Sequence, residues 1–161
     1  MYQVNYQKFQ AQDFELYYQL VSNNDVMDLV YNGDIFSLEK SVQRFEEILK
    51  VNEAQPMGGY FKMYYENKFI GLSKMEIDPN DPDAVEIGCI LHYEYQQLGF
   101  GTVITQDLID LVKITGISSN VIAKVNPENI ISKNLITKHG LTPYQNTFIN
   151  NNPTEIFRLK L

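Results

Sequence analysis

The stretch from Ala84 to Val125 constrains the fold more than any other part of the chain. Residues 84–92 alternate, with Val85, Ile87, Cys89 and Leu91 on one face and Glu86, Gly88, Ile90 and His92 on the other. That is the period of a strand. Gly99 to Thr115 reads as a long helix whose stripe is Ile104, Leu108, Leu111 and Val112. Val121-Ile122-Ala123-Lys124-Val125 is a short apolar strand of the kind buried inside a sheet. A strand–helix–strand crossover of this length requires two parallel strands in one sheet. The domain is therefore mixed α/β.

The flanking residues add elements of both kinds. Residues 2–9 suit a first strand. A helix is predicted from Ala11, with Phe14, Tyr17, Tyr18 and Val21 on one face, and Asn23-Asn24-Asp25 breaks it. Asn32-Gly33-Asp34 reads as a turn. Ser37 opens a second helix with Leu38, Val42, Phe45 and Leu49 as its stripe; Lys40 stands where a full capping box would have Glu or Gln. Strands are predicted at 60–65 and 68–77 around a tight Glu66-Asn67 turn, with a loop over 78–83. Pro127 sits where a further helix can begin, Gly140 suits its C-cap, and strands near 141–149 and 154–161 close the chain.

Composition narrows the partners. A chain of 161 residues suits one domain, 1–161, and buries roughly 70% of its unfolded surface without staples. The net charge of −7 argues against nucleic acid, which needs a basic face. An acidic surface can draw in a cationic amine, or serve solubility alone. No stretch approaches the ~20 apolar residues of a membrane span. Residues 1–6 carry no basic region followed by an apolar run, and the lone Cys89 cannot form an internal disulfide. A cytoplasmic location is expected. Two histidines and one cysteine, far apart, suggest no metal site.

The chemistry is concentrated in Gln96-Gln97-Leu98-Gly99-Phe100-Gly101-Thr102, between a strand and a long helix. Two glycines let backbone approach a ligand closely, and the first helical turn offers free N–H groups and a positive dipole end. Together they make an anion seat suited to a pyrophosphate. A tight turn that merely packs a helix on a sheet is the other reading of the same residues. The segment is not a P-loop, since no Gly-Lys-Ser/Thr follows. Nor is it the full dinucleotide fingerprint, since Ile104 stands where the third glycine belongs.

Gln96-x-x-Gly99-x-Gly101 resembles the acyl-CoA pyrophosphate signature of the GNAT superfamily. The strand Glu86–Leu91 resembles the one that leads into it. Asn126-Pro127-Glu128-Asn129-Ile130-Ile131-Ser132 and Lys138-His139-Gly140-Leu141 resemble the family's second helix block. The spacing fits the branch of ribosomal-protein and other amine N-acetyltransferases, and the likeness is specific over residues 84–142. It implies a three-layer domain whose central mixed β-sheet, flanked by helices, splays open between the strands at 84–92 and 121–125. It implies acetyl-CoA as acyl donor. The pantetheine arm would pair with backbone near Ile90 and Leu91, beside a bulge at Leu91 to Tyr93. The pyrophosphate would sit with Gln96, Gln97, Leu98, Gly99, Phe100, Gly101 and Thr102. Asn129 and Ser132 would touch the pantetheine.

The implied reaction is direct attack of a neutral amine on the thioester in a ternary complex. It needs alignment, a base for the amine's proton and an acid for the thiolate. Glu86, through a water if need be, is the first candidate base; His92 is the second and Glu94 the third. Many relatives carry a Tyr as acid four residues before the helix-end glycine, but Ile136 stands there. Ser132 matches the serine proposed for that role in the ribosomal-protein branch, and Tyr144 could substitute. Cys89, alternating with core residues, reads as a structural thiol, and His139 as a helix-end residue. The acceptor would be a peptide or small-molecule amine bound by the aromatic N-terminal third, and a homodimer is left open. A CoA-binding module without transferase activity is the rival reading, and a nucleotide-binding α/β domain a weaker one.

Overall fold

A computed structural model describes residues 1–161. Its strands are β1 (Asn5–Lys8), β2 (Gly59–Tyr65), β3 (Lys68–Asp78), β4 (Asp81–Leu91), β5 (Asn120–Val125), β6 (Thr142–Ile149) and β7 (Asn152–Lys160). Its helices are α1 (Phe14–Val21), α2 (Asn24–Met27), α3 (Leu38–Ala54), α4 (Phe100–Thr115) and α5 (Ile130–Lys138). All seven strands form one sheet in the order β1-β2-β3-β4-β5-β7-β6. The β4–β5 pair is parallel and the other five neighbouring pairs are antiparallel. This is the expected mixed α/β three-layer arrangement.

The two faces carry separate cores. On one, Ile104, Leu108, Ile109 and Val112 of α4 and Ile136 of α5 pack on Met63, Met75, Val85, Ile87, Val121 and Phe157. On the other, Tyr17, Leu20 and Val21 of α1 and Phe45 and Ile48 of α3 pack on Tyr60 and Leu72. Period-2 alternation in β2–β4 feeds both cores at once, while β5 feeds the α4/α5 side. The Ser37 hydroxyl accepts the Lys40 N–H at 3.1 Å and starts α3 without the second half of a capping box.

The sheet opens where the crossover predicts. Strands β4 and β5 pair only at Ala84–Asn120, Val85–Val121 and Glu86–Ile122. Beyond these, β4 stays bound to β3 as far as Leu91–Gly71, and β5 to β7 as far as Val125–Glu155. The facing edges of residues 87–91 and 123–125 therefore have no strand partner and border a gap.

Four local expectations change. Residues 78–83 are not a loop: β3 and β4 remain paired to Asp78–Asp81, with Pro79-Asn80 as the turn. Pro82 is tolerated because β5 joins β4 only from Ala84, so β4 has one neighbour there. Pro127 does not begin a helix. Asn129 caps α5 instead, its side-chain oxygen accepting the Ser132 N–H at 3.0 Å, and Asn126 holds the preceding turn by accepting the Glu128 N–H at 2.9 Å. The bulge expected at Leu91–Tyr93 is absent: the shift in the β3–β4 register falls between Ile77 and Asp78, and the chain leaves β4 through a single 3-10 turn at Tyr93–Tyr95. The segment after α1 restarts as α2, because the Asn23 side chain caps it on the Val26 N–H.

Candidate active site

The anion seat is built by the backbone after β4. Gln96 turns its side chain back, and its Nε2 donates to the Leu91 carbonyl at 3.1 Å, tying the loop to the strand end. Gln97 (φ 57°) and Gly99 (φ 95°) both take the left-handed conformation, which coils the chain tightly before α4 starts at Phe100. As a result the N–H groups of Gln97, Leu98, Gly99, Phe100, Gly101 and Thr102 donate to no protein acceptor. Six orphan donors at the start of a sixteen-residue helix suit a diphosphate. Phe100, 3% exposed, anchors the turn between Tyr65 and Tyr95, with ring centroids 5.1 and 5.6 Å away.

The gap between β4 and β5 runs from this loop back to Glu86. Ile90 and Leu91 lie on its β4 wall near the mouth. Asn129 and Ser132 lie at the start of α5 on the far side. Besides capping α5, Asn129 donates through Nδ2 to the Leu29 carbonyl at 3.4 Å. Asn126 donates likewise to the Tyr31 carbonyl at 2.7 Å, so residues 29–31 are tied to the turn before α5. The Ser132 side chain is half-buried, and its hydroxyl makes no hydrogen bond within the protein. Ile136 belongs to the core, so no proton donor can come from that position. Tyr144 lies on the outer strand under the Arg158 guanidinium, 4.7 Å from its ring centroid.

Glu86 stands where β4 and β5 part. Its carboxylate meets Lys74 at 2.5 Å through Oε2 and Lys124 at 3.5 Å through Oε1, and Lys124 also reaches Asp78 at 3.2 Å. All four side chains are at most 19% exposed. Burial, the largest single effect, pulls the Lys74 ammonium down, but Glu86, Tyr60 and Tyr31 together outweigh it and hold the group well above the ordinary lysine range. Lys74 is thus a permanent cation at neutral pH.

His92 follows β4 on the same face, six residues from Glu86, which is ~20 Å along a strand. The two cannot serve one reacting amine. The His92 ring packs edge-on against Phe69 at 5.6 Å. Burial lowers its proton affinity and Glu94 partly offsets that. Glu94 itself is exposed in the 3-10 turn. Cys89 is half-buried, and burial pushes its thiol up to about 11. His139 lies at the end of α5, its Nδ1 2.8 Å from the Leu135 carbonyl.

On the Glu86 face, α1 and α3 leave a narrow slot against the sheet, lined by Tyr17, Phe36, Arg44, Tyr60, Leu72 and Ile90. Tyr31 closes it, stacked on Phe36 at 5.9 Å. The Tyr60 hydroxyl donates to Glu76 at 2.7 Å. Sequence reasoning missed Lys74 and Lys124 as neighbours of Glu86, and Asp78 as the second partner of Lys124. The signal was there in part: Lys124 interrupts an otherwise apolar strand.

Comparison with known proteins agrees with this geometry. No curated protein matches the chain in sequence. Among solved structures, the ribosomal L7/L12 alpha-N-protein acetyltransferase RimL in complex with coenzyme A superposes with a TM-score of 0.78 at 15% identity, covering 98% of this chain and 94% of that one. The aminoglycoside acetyltransferase AAC(6')-Ib in complex with coenzyme A gives 0.81 at 14% identity, covering 98% and 95%. The microcin C7 self-immunity acetyltransferase MccE, in complex with acetyl-CoA and AMP, gives 0.77 at 17% identity, covering 98% and 92%. Residues 3–142 match the family described as the acetyltransferase (GNAT) domain. The chain belongs to the GNAT acetyltransferase family.

Proposed function

We propose that residues 1–161 act as one catalytic domain that moves the acetyl group of acetyl-CoA onto an amine. The observation that carries this is the row of unpaired N–H groups at residues 97–102 opening onto the β4–β5 gap. The row suits the donor's diphosphate. The free edges of β4 and β5 suit an extended amide-bearing arm, which Ile90 and Leu91 would meet with backbone. Ser132 and Asn129 flank that arm from α5.

In this reading the gap leads the thioester toward Glu86. The amine nitrogen forms a bond to the acyl carbon as the carbon–sulfur bond breaks. Glu86 receives the amine's proton through a water. Lys74 and Lys124 hold its carboxylate in place by ion pairing, and the same carboxylate orients the incoming amine. Ser132, with an uncommitted hydroxyl, gives a proton to the departing thiolate. His92, at the mouth, is the second candidate base, and it serves only in the alternative where the thioester stops near Ile90 instead of reaching Glu86.

The acceptor approaches from the α1/α3 face; the aromatic slot beside Ile90 has room for only about one water, so it marks the approach and must widen to admit an amine. A protein N-terminus or a small amine both fit the description, since the solved relatives named above include an acetyltransferase of each kind. A cytoplasmic location and the absence of nucleic-acid and membrane partners belong to the same proposal; the charge of −7 supports the former exclusion, and no helix is long and apolar enough to cross a membrane. A homodimer belongs to it too. Strand β6 is an outer edge with exposed Tyr144 and Phe148, and sedimentation at micromolar concentration reads its contribution. The deciding experiment is thioester turnover over a panel of amines. Release of free thiol that depends on an added amine is expected. Tight acetyl-CoA binding with no amine-dependent turnover would favour the binding-module reading instead.

A further inference from the structure

The diphosphate seat is braced from an unexpected quarter. Tyr2, ahead of β1, lays its ring on Phe100 with centroids 3.9 Å apart and planes 12° from parallel. The same ring meets Tyr65 edge-on at 5.3 Å. Its hydroxyl donates to the Leu98 carbonyl at 2.9 Å, across 96 residues of sequence. No backbone N–H reaches that carbonyl, because the helical ladder of α4 starts beyond it.

A trans peptide points its C=O and its N–H in opposite directions. Holding the Leu98 carbonyl toward Tyr2 therefore turns the Gly99 N–H away from Tyr2, and it is one of the orphan donors. Gly99 is the residue least able to hold this plane itself, since glycine moves between wells freely. We infer that Tyr2 is a positioning residue for donor binding: its hydroxyl fixes the Leu98–Gly99 peptide plane and so aims the Gly99 N–H at the diphosphate of the acyl donor. This rests on the proposed role of residues 97–102. The tie also gives the start of the chain a function other than pairing, since β1 begins only at Asn5.

The test compares two ligands on one variant. Calorimetric titration of wild type and Tyr2→Phe is run with CoA and with pantetheine, which lacks the diphosphate. The variant keeps the ring stack and loses only the hydroxyl. Expected is a rise of about 5-fold in the Kd for CoA, the ~1 kcal/mol of one neutral hydrogen bond, with the Kd for pantetheine unchanged. The melting temperature without ligand should stay within a degree or so of wild type, and Tyr2→Trp should not restore CoA affinity, because its N–H cannot reproduce the phenol's reach. An unchanged Kd for CoA in folded Tyr2→Phe overturns the inference. So does an equal loss for both ligands, which would mark a general structural role. If wild type binds CoA no better than pantetheine, the diphosphate seat itself fails and the inference fails with it.

Discussion

A Cβ placed on Gly101 would stand 3.0 Å from Cδ2 of Leu135, whereas one on Gly99 would meet only Tyr2, at 3.7 Å. The two glycines of the motif thus answer to different constraints. Gly99 supplies a left-handed turn, and Gly101 lets α4 pass close to α5.

Gly101→Val is therefore expected to act first through packing. Overfilling this contact should cost ~1–3 kcal/mol of stability, seen as a lower denaturant midpoint with unchanged slope. Because α5 carries Asn129 and Ser132, acetyl-CoA affinity should also fall at least ~10-fold, about 1.4 kcal/mol. Gly101→Ala should show the same direction with a smaller loss. Unchanged stability in Gly101→Val would mean that α5 moves aside freely.

Acetyl-CoA should stabilise the protein thermally in proportion to its excess, by about 2.7 kcal/mol at a hundred times Kd. ADP at equal concentration occupies the loop but leaves the β4–β5 gap empty, so its gain should be smaller. Scanning calorimetry at several ligand concentrations checks this. Equal gains from the two would argue for a nucleotide site without a pantetheine cleft.

How far the sequence foretold this arrangement depends on the range of the interaction involved. The parallel crossover and the turn at 96–102 are local patterns, and both are legible from alternation, stripe and glycine spacing. The surroundings of Glu86 are not. Lys74 and Lys124 come to it from two flanking strands, with Asp78 as the second partner of Lys124, and only the register Glu76–Glu86 and Glu86–Ile122 brings them together. Asn129 shows a different limit: its residue type suits a ligand contact and a helix cap equally, and the structure adds the cap, with its side-chain oxygen accepting the Ser132 N–H. Tyr2 carried no local signal, because its partners Tyr65, Leu98 and Phe100 all lie more than sixty residues away.

The pH response should carry a signature of His92. Burial lowers its folded proton affinity, so the unfolded chain takes up the proton first as pH falls. Its contribution is complete above the unfolded value of about 6.5 and is lost progressively below it. His92→Gln should therefore flatten the fall in unfolding free energy between about pH 7 and pH 5 while leaving pH 8 stability close to wild type. An identical pH profile in the two proteins would assign the fall to other groups.

The sharpest test separates what Glu86 does for stability from what it does for chemistry. Its carboxylate compensates Lys74, which is nearly enclosed. Glu86→Gln should cost ~3 kcal/mol or less, because Lys124 keeps Asp78 as a partner but Lys74 loses its charge partner. Adding Lys74→Met removes the stranded cation, and the double variant should recover much of that loss. Turnover should behave differently. If Glu86 receives the amine's proton, Glu86→Gln lowers kcat by ~10²-fold or more with acetyl-CoA binding intact, and the deficit shrinks at high pH, where more amine is already neutral. The double variant should then be stable and still slow. Recovery of turnover along with stability would show that Glu86 only holds the sheet junction together. In that event His92→Gln becomes the decisive kinetic variant, and positioning of the amine against the thioester would account for the rate.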